Sequence, residues 1–354
     1  MNTAPVWDHH PPYSPPYTGA RAVSNLYKLD AQEMSVLNIS VVIPTYNRAK
    51  IVGETIAAVI RQTHPSAEII VVDDGSTDTT PATLAAYNDH IRIIRIPNSG
   101  DLVARNTGLK IASGDLVAFC DSDDVWEPDY LNTMASLWND EPGLHAAYAD
   151  FRILRDGEVS ERSKFEDAPA GFWDAMRLLA SDRGVFEAPY VTDLLRFQPF
   201  FPSTMTVERK TFLAIGGWDE RVSRSIGCDF ATALRTAANP PVGVVRRPLV
   251  RIRKHSGNLS GDTERMNLGD AAVLQHVLAS NPAMEPMRSK FEASMAERRE
   301  AALHAAFDRR DFAAVRAAFA MLPPGVPSIR TRLKRVISSL PTPLAVVAAS
   351  ILSR

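Results

Sequence analysis

ISVVIPTYNR at 39–48, EIIVVDDGSTD at 68–78, IRIIRIP at 91–97 and DLVAFCDSDDVW at 115–126 decide the fold. These four short runs are rich in Val and Ile and lack polar alternation, the pattern of strands buried on both faces of a parallel sheet. Amphipathic stretches separate them. Val52, Ile56, Val59 and Ile60 fall on one helical face, and Leu102, Ala104, Leu109 and Ile111 mark another apolar stretch. Thr80-Pro81 reads as an N-cap followed by proline at the first helical position. Strand alternating with helix implies a parallel α/β sheet with right-handed crossovers. Ligands in such sheets bind beyond the carboxyl ends of the strands. Three of the four runs end there in chemically useful residues: Pro44-Thr45-Tyr46-Asn47, Asp73-Asp74-Gly75-Ser76 and the tetrad Asp121-Ser122-Asp123-Asp124. One acidic strand end could be a helix cap or a solvated turn. Two of them with an aromatic indicate a site.

Composition bounds what that site can serve. The chain has 354 residues, 45% of them hydrophobic, enough for one large domain or two smaller ones with a sizeable core. A net charge of −2 gives no global basic field for nucleic acid. Cys120 and Cys228 cannot form a disulfide framework and lack metal-ligand spacing, so they read as small buried residues in a reducing cytosol. No apolar run reaches the ~20 residues of a membrane span and the N-terminus lacks an apolar signal core, so a cytoplasmic protein, soluble or peripheral, is expected.

VVIPTYNR, VVDDGSTD, NSGDLVARNTG at 98–108 and FCDSDDVWEPDYL at 119–131 together resemble the donor-binding half of family-2 glycosyltransferases. The resemblance is strong over 38–150 and continues more weakly through IGGWDE at 215–220, GCDF at 227–230 and RIRKHSGNLS at 251–260. It implies the GT-A fold: a Rossmann-like, mostly parallel central sheet flanked by helices, here with an α-helical C-terminal extension. It also implies an inverting transfer of a sugar from a nucleoside diphosphate to a hydroxyl of a glycan or lipid-linked acceptor.

Such chemistry needs stabilisation of the leaving diphosphate, a held nucleoside and a base for the incoming hydroxyl. Mg²⁺ or Mn²⁺ commonly binds through one or two carboxylates plus substrate phosphates, and Asp121-Ser122-Asp123 contains the chain's only D-x-D. By resemblance, Asp123 leads as metal ligand, Asp121 serves ribose or metal, and Ser122 belongs to the nucleotide-sugar contacts. Asp124 is adjacent and could exchange roles with Asp123. The rival reading of the tetrad is an acidic turn entering a helix.

The family's nucleotide pocket maps onto Pro44, Thr45, Tyr46 and Asp74. Asp74 would accept a hydrogen bond from a ring N–H, which uracil and thymine carry and cytosine lacks, favouring UDP or dTDP over CDP. Asp73 would support the turn before Gly75, a position suited to left-handed backbone. Arg105 would reach the diphosphate or base, or else face solvent on a helix. Asp229 is the implied base, preceded by Cys228 where the family commonly has Glu; Asp219 and Glu220 are the fallback. His255 would approach the metal or diphosphate, or be structural, and the basic residues Arg251, Arg253 and Lys254 before it would suit an anionic ligand.

The remaining chain is read more coarsely. Residues 1–37 are Pro-rich and without apolar period, an extension; 38–260 would form the transferase domain, split near 150 into donor and acceptor halves; 261–354 would be helical. Within this, 128–138 reads as a helix, 145–154 as a strand, 155–159 as a hairpin turn, 172–179 as a helix, 229–238 as a helix stopped by Asn239-Pro240-Pro241, and 242–253 as extended. Phe197, Phe200 and Phe201 would be an acceptor platform or ordinary packing. Residues 291–307 and 312–322 would pair as antiparallel helices. The tail from Arg330 carries basic residues and no acid and ends in an apolar segment, which fits a membrane-surface anchor or a plain docked helix. A non-catalytic nucleotide-sugar-binding protein on the same fold is the rival function. The absence of G-x-G-x-x-G after a strand and of G-x-x-x-x-G-K-[ST] argues against dehydrogenase and P-loop chemistry.

Overall fold

A computed structural model describes residues 37–254, 262–325 and 327–352. Nearly all of the expected N-terminal extension, and His255, lie outside the described residues. The first half runs β1 (Ile39–Thr45), α1 (Val52–Ile60), β2 (Glu68–Asp73), α2 (Thr80–Ala85), β3 (Arg92–Arg95), α3 (Asp101–Ile111) and β4 (Leu116–Phe119). Next come β5 (Val125–Trp126), α4 (Tyr130–Asp140), β6 (Ala146–Arg155), β7 (Glu158–Val159), β8 (Arg177–Ala180) and β9 (Arg183–Phe186). They are followed by α5 (Val191–Arg196), β10 (Met205–Glu208), α6 (Arg209–Ala214), α7 (Asp229–Ala238) and β11 (Val242–Lys254). The chain closes with α8 (Thr263–Ser280), α9 (Arg288–Asp308), α10 (Phe312–Ala320), α11 (Ile329–Ile337) and α12 (Thr342–Leu352).

All the strands join one sheet in the order β3-β2-β1-β4-β10-β6-β11-β9-β8, with β5 on β11 and β7 on β6. The β3-β2-β1-β4 half is parallel, β10 enters antiparallel between β4 and β6, and β6 and β11 run parallel. The four-run reading is therefore correct in type and order, though β3 is an edge strand and only half-buried.

The uninterrupted apolar character of β1, β2 and β4 has a direct cause. Val42, Ile70, Val72, Val117 and Phe119 point into one core with Leu102 and Leu109 of α3. Their neighbours Val41, Ile43, Ile69, Val71 and Ala118 point into the other, with Ile56 of α1 and Met134 of α4. Both sheet faces are covered, so neither parity can be polar. Each such side chain contributes about 1.5–3 kcal/mol when fully buried.

Three local expectations shift. Ile60, the last residue of α1, is 37% exposed and leaves the buried face to Val52, Ile56 and Val59. Thr79, not Thr80, is the N-cap of α2; the Thr80 hydroxyl instead accepts the Arg48 N–H at 2.8 Å, tying the β1–α1 loop to α2. Residues 172–179 are not helical: 177–180 form β8, paired antiparallel with β9. Elsewhere α4, β6, the β6–β7 hairpin with left-handed Asp156 and Gly157, α7 and β11 match the reading within a few residues.

Helices α8 and α9 share the sheet's core, where Leu274, Phe291 and Met295 pack with Phe230 and Leu234 of α7. The α9–α10 pair, turning at left-handed Arg310, forms with α11 and α12 a second cluster around Leu303, Phe307, Val315 and Ala345.

Candidate active site

The chain travels from β1 outward to β3, then returns to place β4 on the other flank of β1. That reversal opens a crevice beyond the carboxyl ends of β1 and β4, the place where such sheets take ligands. Pro44 sits where β4 has already stopped pairing: the last rung joins the Cys120 N–H to the Val42 carbonyl at 3.0 Å. Its missing donor therefore leaves no rung broken, and β1 continues against β2 to the Thr45–Asp73 pair.

On the β2 side of the crevice, carboxylates order the loops. Asp73 accepts the Ser76 N–H at 2.9 Å around left-handed Gly75, as expected of that turn. Asp74, buried, accepts the backbone N–H groups of Ser99 at 2.7 Å and Gly100 at 2.9 Å. It thereby fixes the loop that delivers α3, and its oxygens keep further acceptor capacity. Asn47, in left-handed backbone, accepts the Thr77 N–H at 2.8 Å. Tyr46 is 43% exposed, whereas Thr45 is buried with its hydroxyl unpartnered among the described residues.

Helix α3 connects this side to the tetrad. Arg105 is buried, not solvent-facing. It donates to Asp101 one turn back at 2.5 Å and to Asp121 at 2.5 Å, and lies 5.0 Å over the Trp218 ring. Asn106 clamps the next segment. Its amide donates to the Trp218 carbonyl at 2.8 Å and Glu220 at 2.7 Å, and its oxygen accepts the Trp218 N–H at 2.8 Å.

Within the tetrad the roles separate. Asp124 is buried, accepting the Ser203 hydroxyl at 2.5 Å and the Arg253 N–H at 2.8 Å. Each of its oxygens thus holds a part of the fold, the 202–204 turn and β11, while Asp123 is the more exposed of the two. Ser122 is buried beside it. Asp123 is partly exposed, with the Arg48 guanidinium 3.7 Å away. Burial pushes the Asp121 carboxyl up, Arg105 opposes this, and the Asp123 charge adds to it. Two like-charged carboxylates converging on one spot, with phosphate oxygens to complete the shell, suit a hard divalent cation. Among the described residues no three or more His, Cys, Asp or Glu side chains gather to hold a metal, so the described residues supply only a partial shell. Arg253 braces this corner by donating to the Asp123 carbonyl at 2.9 Å and Glu54 at 2.6 Å, and Arg251 pairs with Glu127 at 2.7 Å. Those two basic residues serve the scaffold.

Asp229 opens α7 after left-handed Gly227, at a position where an added Cβ would run into Asp270 Oδ1. Burial pushes its carboxyl up to about 7; Arg105 pulls down, while Asp101, Asp121 and Asp270 push further up. The neighbouring Cys228 thiol donates to Asp101 at 3.7 Å. Asp229 lines a crevice with Tyr148, Phe200, Phe201 and Trp218 that is too tight to admit a water molecule. The Trp218 Nε1 and Thr232 hydroxyl on its walls are buried and unpartnered among the described residues. Phe200 stacks on Tyr148 at 4.3 Å and Phe197 meets Phe172 edge-on at 5.3 Å, so packing and crevice wall are not exclusive for Phe200. Burial pushes the Asp219 carboxyl up, but hydrogen bonds from His276 and Arg221 outweigh it and hold it well below the carboxylate range. Glu220 is taken by Asn106.

One chain of contacts thus runs from Asp74 through the 98–100 loop to Asp101 and Arg105, and on to Asp121 and Cys228. Ser203, Asp101 and Asn106 are the residues that sequence reasoning passed over. Only the Asp101–Arg105 spacing of four on a helix carried a readable signal.

A parallel sheet with acidic strand ends at its reversal point, extended by antiparallel strands and by a helix that opens on Asp229, defines a GT-A glycosyltransferase domain. Residues 40–183 of the chain match the family model "Glycosyl transferase family 2". Its fold resembles S. aureus TarS 1-349, solved in complex with UDP-GlcNAc, with TM-score 0.51, 17% identity, and 89% of this chain and 90% of that one covered. It also resembles the mannosyltransferase PcManGT from Pyrobaculum calidifontis, solved in complex with GDP-Man and Mn²⁺, with TM-score 0.50, 19% identity, and 90% and 87% covered. In sequence it is 32% identical over 124 residues to the Escherichia coli "UDP-Glc:alpha-D-GlcNAc-diphosphoundecaprenol beta-1,3-glucosyltransferase WfgD", covering 34% of this chain and 48% of that protein. Matches to curated relatives at 31–43% identity span 21–66% of those proteins' lengths.

Proposed function

We propose that the chain is an inverting glycosyltransferase moving a sugar from a nucleoside diphosphate sugar, with UDP favoured, to a hydroxyl of a glycan or lipid-linked glycan. One arrangement carries the reading: Asp229, its carboxyl raised to about 7, opens α7 in the field of the Arg105-bridged Asp101 and Asp121, beside Tyr148, Phe200 and Trp218. A carboxylate poised near neutral pH is matched to taking a proton from a hydroxyl as it attacks. The acceptor oxygen bonds to the anomeric carbon, its proton passes to Asp229, and the bond from that carbon to the diphosphate oxygen breaks with its electron pair on the leaving group. Asp123 and Asp121 are the residues to hold Mg²⁺ or Mn²⁺, which when bound would neutralise charge on the departing diphosphate.

Pro44, Thr45 and Tyr46 border the base, with Asp74 accepting from a ring N–H. Uracil offers that donor, as does guanine, and cytosine does not. TarS and PcManGT, with UDP-GlcNAc and GDP-Man, fall on the permitted side, and the acceptor named for WfgD supports a lipid-linked glycan. Arg105 acts by holding Asp121 and lowering the Asp229 carboxyl, with no contact to donor. Residues 38–150 form the donor half, 151–260 the acceptor half, and 261–354 the helical extension.

The test is nucleotide release from UDP-glucose, UDP-N-acetylglucosamine and GDP-mannose with a panel of glycan and lipid-diphosphate acceptors. Turnover is expected with a uridine donor, and Asp229→Asn should lower it by ~10²–10⁴-fold while UDP binding persists. Unchanged turnover in that variant removes Asp229 from the mechanism. UDP binding by the parent chain without turnover of any donor returns the reading to a non-catalytic binding protein.

A further inference from the structure

The last two helices bury their small residues and expose their large ones. In α12, Ala345 and Ala349 are fully buried, while Leu344, Val347 and Ile351, spaced three and four apart, face outward, Ile351 at 71% exposure. In α11, Thr331 and Lys334 point inward, while Ile329 at 87% exposure, Leu333 and Val336 form an outward stripe that Leu340 continues. A surface helix with no partner shows the reverse distribution. Large exposed apolar side chains elsewhere among the described residues, such as Tyr46, Val159 and Leu178, are scattered over separate elements, and only this segment clusters them.

Charge identifies the partner. From Asp311 to the end the sequence contains no further Asp or Glu, but it holds Arg316, Arg330, Arg332, Lys334, Arg335 and Arg354. At 100° per residue, Arg332 and Arg330 fall on opposite flanks of the Ile329–Leu333–Val336 stripe. Both are exposed, and among the described residues neither has a carboxylate within ion-pair distance. A second copy of the same face would bring like charges together. An apolar stripe edged by arginines instead matches the acyl boundary and the phosphate layer of a bilayer in one plane.

We propose that α11 and α12 form a docking surface for an anionic lipid bilayer. The segment lies on the membrane and does not cross it: no helix among the described residues is long and apolar enough to span. Eleven residues of α12 reach only ~16 Å against a ~30 Å hydrocarbon core. The inference stands apart from the proposed transfer chemistry, because it uses none of the crevice residues.

The experiment is flotation of the full chain with vesicles of phosphatidylcholine alone or with about one-third phosphatidylglycerol, at low and high salt. Binding to the anionic vesicles is expected, weakening as salt rises. The Arg330→Ala/Arg332→Ala variant, altered only at exposed side chains, should bind about 30-fold more weakly, near fivefold per arginine. Leu333→Ser/Val336→Ser should lose binding while its thermal shift with UDP stays equal to the parent's, reporting an intact fold. Equal affinity for neutral and anionic vesicles, no binding to either, or full binding by the arginine variant overturns the proposal. So does a concentration-dependent dimer that the Leu333→Ser/Val336→Ser change dissolves, since the stripe would then be covered by a second copy.

Discussion

Replacing Asp229 by Asn should lower turnover by ~10²–10⁴-fold and, at alkaline pH, make the protein more stable. The Asp229 carboxyl is held at about 7 in the fold, against about 3.9 in an unfolded chain. Between those values the folded chain binds a proton that the unfolded chain has released, so stability falls as pH rises through this window. Above pH 7 the ionised, half-buried group carries its full penalty. Three pH units at 1.36 kcal/mol each set an upper limit of about 4 kcal/mol, of which about 2–3 kcal/mol accrues between pH 5 and pH 8. Asn cannot ionise and escapes that penalty. Urea unfolding of parent and variant at pH 5 and pH 8 reads the effect directly. The stability gap should widen in favour of Asp229→Asn by about 2–3 kcal/mol across that interval. A gap that stays constant, or moves toward the parent at pH 8, refutes the raised carboxyl and with it the poised base.

Arg105→Met strips Asp101 and Asp121 of partners each 2.5 Å away and should cost about 3–5 kcal/mol in unfolding free energy. It should also move the acidic limb of kcat/KM to higher pH, since Arg105 pulls the Asp229 carboxyl down; a pH profile checks this, and Arg105→Lys should not restore the bidentate geometry. Gly227→Ala, at φ +77° and against Asp270 Oδ1, should destabilise by about 1–3 kcal/mol and lower kcat more than UDP affinity, because it displaces the start of α7. Asp219, held low by His276 and Arg221, contributes stability above pH 4 that is lost on further acidification. Asp219→Asn should therefore destabilise the fold at pH 7, and the gap to the parent should shrink steadily as pH falls below 4, read by chemical denaturation.

What the sequence discloses depends on how locally each feature is determined. The β1, β2 and β4 runs are buried on two faces, so composition alone marks them, and their polar ends fall at a topological reversal that needs no tertiary detail to anticipate. The start of α7 at Asp229, two residues after Gly227, is equally legible. Choosing between Asp123 and Asp124 is not, because the difference is made by Ser203 and Arg253, which arrive from β-strand neighbourhoods 79 and 129 residues away. For Arg105 only the alternative of a solvent-facing helical arginine fails, because Asp121 and Trp218, distant in sequence, draw the side chain inside. The 172–179 stretch has the Ala, Met, Leu and Arg content of a helix, yet its second half pairs with β9, and cross-strand bonding outweighs weak local preference.

The central claim is that Asp121 and Asp123 grip a cation-bridged nucleoside diphosphate at the end of β4. Calorimetric titration of UDP into the chain, in Mn²⁺ and in EDTA, and again with Asp123→Asn, tests it most directly. UDP should bind in Mn²⁺ and weaken at least about tenfold, some 1.4 kcal/mol, on chelation or on loss of the Asp123 carboxylate. Equal UDP affinity under all three conditions would contradict it.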